Sequence, residues 1–100
     1  MSKYSNDNKW VKFVSEVSFK GMTLNNKNIL DYIASKHHSD GVELTFREIG
    51  DNTGITKHSA RRNVRKMESI GLIKTKYQYG GGYKDCLPLI FKINLNWKER

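Results

Sequence analysis

The sequence predicts an α+β domain, a three-helix core followed by a C-terminal β-hairpin. Three observations carry this. Apolar residues recur at helical spacing in three segments ahead of Leu72. A threonine able to cap a helix precedes each segment: Thr23, Thr45 and Thr56. Beyond Leu72, two runs alternate apolar and polar residues on either side of Gly80-Gly81-Gly82, the pattern of a hairpin.

In chain order, residues 1–8 are polar. Residues 10–14, WVKFV, read either as a strand or as the start of a helix running to Phe19, with Trp10, Phe13, Val14 and Val17 on one face. Gly21 breaks that pattern. The next helix, capped by Thr23, places Leu30, Ile33 and Ala34 inward with Ile29 beside them. It ends near His37-His38, two residues suited to a helix C-terminus through its dipole. Ser39-Asp40-Gly41 marks a turn, and Val42–Leu44 is a short extended run. Thr45-x-x-Glu48 is a capping box opening a short helix with Phe46 and Ile49 inward. Gly54 suits the left-handed residue that closes it. Thr56 caps a helix over 57–69 whose inner stripe is Ala60, Val64 and Met67, with Ile70 near its end, and Gly71 stops it. In the hairpin, Ile73, Thr75, Tyr77 and Tyr79 share one face of the first strand. Leu89, Phe91, Ile93 and Leu95 share one face of the second. Pro88 has no N–H for a ladder, so it belongs at a non-bonding or bulged place.

One hundred residues suit one small domain. No apolar run approaches the roughly 18–20 residues of a membrane span, and the N-terminus lacks the apolar heart of a signal peptide. The single Cys86 cannot form an internal disulfide, and together these features predict a cytoplasmic protein. The net charge of +8 is uneven: residues 1–50 hold seven Lys/Arg against six Asp/Glu, residues 51–100 eleven against four. A surplus gathered in half a chain points to an acidic partner, nucleic acid above all.

The stretch ITKHSARRNVRKMESIGLIK (55–74), preceded by the supporting segment TLNNKNILDYIASKHH (23–38), resembles the winged helix-turn-helix superfamily. It is most similar to modules of plasmid and phage replication proteins and of small transcriptional regulators. The resemblance covers residues 23–96 and implies a DNA-binding domain there. Residues 1–22 become an N-terminal extension, a possible dimer element.

Five cations and no acid lie within 57–66. A rotation of 100° per residue puts His58 and Arg62 opposite Ala60, with Arg65 and Ser69 close by and Arg61 and Lys66 flanking. Lys57, His58, Ser59, Arg61 and Arg62 occupy the end where recognition helices meet base edges, and Arg65 and Lys66 suit phosphate. Lys57–Arg61, Arg61–Arg65 and Arg62–Lys66 are like-charge i,i+4 pairs. Each costs a few tenths of a kcal/mol unless an anion neutralises it. In the wing, 74–86, the contact candidates are Lys74, Lys76, Tyr83 and Lys84. Thr45, Arg47 and Thr56 stand where helix N-termini can meet phosphate, although capping alone explains the threonines.

The histidines and Cys86 lack metal-ligand spacing, the glycine run lacks a Lys-Ser/Thr ending and a following helix, and no catalytic constellation is spaced for chemistry. No cofactor, metal or enzymatic activity is expected. The expected function is sequence-specific binding of double-stranded DNA, in the origin-binding domain of a replication initiator from a plasmid, phage or other mobile element. The alternatives are a small transcriptional regulator and, in another class, a winged-helix protein-interaction module. A lone winged helix touches few base pairs, so a homodimer or tandem binding on repeated half-sites is expected, with Trp10–Phe19 as partner surface.

Overall fold

A computed structural model describes residues 8–77 and 88–98, Tyr77 by its backbone alone. Among the described residues, four helices and three strands follow in the order α1 (Lys9–Glu16), α2 (Leu24–Lys36), β1 (Val42–Leu44), α3 (Phe46–Thr53), α4 (Lys57–Ser69), β2 (Ile73–Tyr77) and β3 (Leu89–Ile93). The α+β class stands; the segment left open between strand and helix adds α1, and the short extended run is β1.

Residues 10–14, open between strand and helix, are helical. The deciding residue is Asn8, whose side chain accepts from the Val11 N–H and caps α1. Its amide also donates to the Ala34 carbonyl at 3.1 Å, tying the start of α1 to the end of α2. Lys27 fastens the other end by donating to the Val14 carbonyl at 3.0 Å. Val14 is fully buried and Phe19 nearly so, both within the single core cluster. Trp10, Phe13 and Val17 pack against that cluster. The apolar face read as a partner surface is therefore partly taken up within the chain, with Trp10, Phe13 and Val17 half-buried.

Thr23 caps α2 as expected, and a capping box completes it: Asn26 N–H donates to the Thr23 hydroxyl, and Asn26 Oδ1 accepts from Thr23 N–H. Asn takes the place of the usual Glu or Gln. The helix stops at Lys36, and His37 is buried. Its ring stacks on Trp10 at 4.2 Å, and its Nε2 accepts from the Ile93 N–H at 3.1 Å. Burial is the main force holding its pKa below the ordinary value, with the nearby charges of His38 and Lys92 acting the same way. His37 is thus a neutral acceptor joining α2 to β3, not a cation facing the helix dipole.

The strands form one antiparallel sheet in the order β1-β3-β2. The extended run Val42–Leu44 adds to the hairpin through Val42↔Phe91, Glu43↔Ile90 and Leu44↔Leu89. Leu89, Phe91 and Ile93 face inward; Leu95 lies beyond the strand's end. Pro88 sits just outside the ladder, whose last pair is Tyr77↔Leu89. Phe91 is fully buried and meets the Phe46 ring edge-on at 5.9 Å, so the sheet closes over α3. Burying a side chain of this size contributes about 1.5–3 kcal/mol. The expected tip Gly80-Gly81-Gly82 and Tyr79 lie outside the described residues, as does Cys86.

Candidate nucleic-acid interface

The short helix α3 and the turn after it position the basic helix α4. Thr45 and Glu48 form the expected capping box of α3, with bonds of 3.0 and 2.8 Å. Gly54 closes α3 at φ 80°, the left-handed conformation that favours glycine. Gly50 is the less visible requirement. A Cβ there would lie 2.6 Å from the Ile55 carbonyl oxygen and 3.1 Å from the Thr56 carbon, so α3 approaches the turn more closely than any side chain allows. Thr56 then caps α4 by accepting from the Ser59 N–H at 3.1 Å. Both Thr45 and Thr56 are accounted for as caps.

A polar contact sets α4 against α2. Asn26 is fully buried, and its Nδ2 donates to Asn63 Oδ1. Asn63 Nδ2 in turn donates to the Ser59 carbonyl at 2.8 Å. With Ala60, Val64 and Met67 fully buried, the inner stripe falls where the helical spacing puts it.

The outer side is divided. His58, Arg61 and Arg62 are exposed, and Lys57 and Ser59 half-buried at the helix start. Arg47 is exposed on α3. Arg65 and Lys66 reach back to the protein. Arg65 pairs with Glu68 at 2.7 Å and lies over the Phe46 ring at 5.7 Å. Lys66 donates to the Gly21 carbonyl at 2.7 Å, above the Phe19 ring. Both were expected to meet phosphate; both already have protein partners.

Glu68 was no part of the expected site, yet it braces it. One carboxylate oxygen takes Arg65, and the other accepts from the Thr75 hydroxyl at 2.6 Å. Burial alone raises its pKa, but the hydrogen bonds from Thr75 and Arg65 and the Arg65 charge outweigh that and hold it below the ordinary carboxylate value. The carboxylate joins α4 to β2 and so fixes basic helix against basic strand.

On the sheet's outer face, Lys74 and Lys76 are exposed as expected. The register adds Lys92, which stands directly across from Lys74. Like charges opposed in a non-neutralised pair destabilise a sheet. Alternation puts Lys92 on the outer face of its strand; only the register reveals its neighbour. Tyr83 and Lys84 lie outside the described residues. Among the described residues no group of three His, Cys, Asp or Glu is placed to hold a metal, and no helix is long and apolar enough to cross a membrane. Compared with protein-family models, with curated proteins and with solved structures, the chain matches none.

Proposed function

We propose that the chain is a winged helix-turn-helix that binds double-stranded DNA sequence-specifically, with α4 in the major groove and the β2–β3 hairpin as a wing along the backbone. The observation that carries this reading is the exposure of His58, Arg61 and Arg62, with no acid among them, at the start of a helix whose opposite face is locked into the core. An ordinary solvated face mixes signs to gain i,i+4 pairs. Lys74, Lys76 and Lys92 add a second cationic surface on the same half of the sequence. Phosphate neutralises both, which removes the like-charge cost.

Within duplex binding, we favour the origin-binding domain of a replication initiator from a mobile element over a transcriptional regulator. That choice rests on the sequence resemblance. Two copies on repeated half-sites, about one helical turn apart, supply enough base pairs for specificity. Since Val14 and Phe19 are buried and Trp10, Phe13 and Val17 half-buried within the chain, tandem seating along the DNA is favoured over a dimer built through α1.

A competition titration at ~150 mM salt tests the reading. A preferred duplex must survive an excess of random DNA; equal weakening on every sequence rejects it. Lys76→Ala and Lys92→Ala are each expected to weaken all sequences alike and to lower the salt slope by about one.

A further inference from the structure

Resting on the duplex-binding reading, we infer that the protein reads its site through guanine, with Arg62 as the base-reading residue and Asn63 barred from reading adenine. Base identity in the major groove is carried by the order of donors and acceptors. Adenine presents an acceptor beside a donor, and a carboxamide matches it with both ends. Guanine presents two acceptors, N7 and O6, and a guanidinium matches it because it only donates. Cytosine presents a donor, which a carboxylate accepts.

Asn63 is the one carboxamide on α4. Both ends of its amide are engaged: Nδ2 with the Ser59 carbonyl, Oδ1 with Asn26 Nδ2. Asn26 is fully buried, and its own Oδ1 holds the Thr23 N–H. Turning Asn63 outward therefore leaves a buried amide donor unsatisfied, which opposes the turn. No carboxylate lies within 57–66 to read cytosine. Arg62 is exposed opposite the buried Ala60, one turn after His58, in the half of α4 that meets base edges. With the carboxamide engaged and no carboxylate at hand, the guanidinium is the exposed side chain here built for bidentate reading, its match is guanine, and each half-site contains one at the position facing Arg62.

The test is selection of bound duplexes from a random pool with the full chain, followed by replacement of each selected guanine with 7-deazaguanine, which removes N7 alone. One guanine per half-site is expected to lose roughly 5- to 150-fold in affinity on replacement. That loss should vanish in Arg62→Ala and shrink in Arg62→Lys, which keeps the charge without the fork. Asn63→Ala should return the same selected sequence. Circular dichroism establishes that each variant is folded. Selected sites without a shared guanine, or a 7-deaza penalty that persists in Arg62→Ala, overturn the assignment and leave specific duplex binding intact. Failure to select any site overturns both.

Discussion

Early in α4, Arg62 stands exposed opposite Ala60, whereas Arg65, a turn later, is half-buried against Glu68, and Lys66, itself exposed, donates to the Gly21 carbonyl. The side chains are of the same type, and the helical wheel puts Arg65 on the outward side as well. Arg65 has Glu68 and the Phe46 ring within reach, and Lys66 the Gly21 carbonyl. The late half runs beside the 19–21 loop, the Phe46 ring and a carboxylate; the early half runs out from the turn at Gly54. A cation count over the whole helix therefore says little about how each cation is held.

The most disruptive way to break this division is to move the whole helix. Helix propensity alone predicts that Gly50→Ala gains about 1 kcal/mol. The added Cβ meets backbone at 2.6 Å, and overpacking of that kind costs about 1–3 kcal/mol, so net destabilisation and weakened duplex binding are expected. Urea unfolding decides it; a stabilised variant would show that the crossing has room. Asn63→Ala leaves Asn26 buried without its acceptor and should cost about 1–3 kcal/mol of stability. Arg62→Ala, at an exposed position, should cost stability less than about 0.5 kcal/mol. Equal costs for the two would erase the distinction between inner and outer faces.

Arg65→Ala should cost at most about 1 kcal/mol, because the Arg65–Glu68 pair is partly solvated and Glu68 keeps its Thr75 bond. Its effect on duplex affinity should be smaller than that of Arg62→Ala, and a larger effect would place Arg65 on DNA after all. The mildest probe is pH. His37 has a folded pKa below its unfolded value, so the unfolded chain takes up its proton first. Stability should be full above about pH 6.5 and fall as pH drops through that value, levelling off below the folded pKa. His37→Gln, which does not titrate, should flatten that part of the thermal-unfolding profile.

The stretch from α3 through the turn to α4 was legible because its signals are local. Thr45 and Glu48 are three residues apart, Gly54 needs only its own backbone angle, and Thr56 bonds within one turn. What stayed hidden depends on residues that meet only in the fold. Asn26 and Asn63 face each other across two helices, Lys74 and Lys92 across a sheet register, and His37 beneath Trp10 and Ile93. Glu68 looks like a lone acid at a helix end until Thr75 comes beside it. The α1 segment was ambiguous because its spacing fits both periods, and the Asn8 cap lay among residues with no apolar pattern.

The strand order β1-β3-β2 has a kinetic consequence. Val42 finds its partner at Phe91, so β1 remains unpaired while α3, α4 and β2 take shape. Closing so large a loop is an entropic barrier, and pairings distant in sequence slow folding. During synthesis, which proceeds from the N-terminus, the basic helix leaves the ribosome before the strand whose Phe91 packs beside its neighbour Phe46. A chain cut short of β3 thus keeps the cations of α4 and β2 but loses the strand that pairs with both β1 and β2.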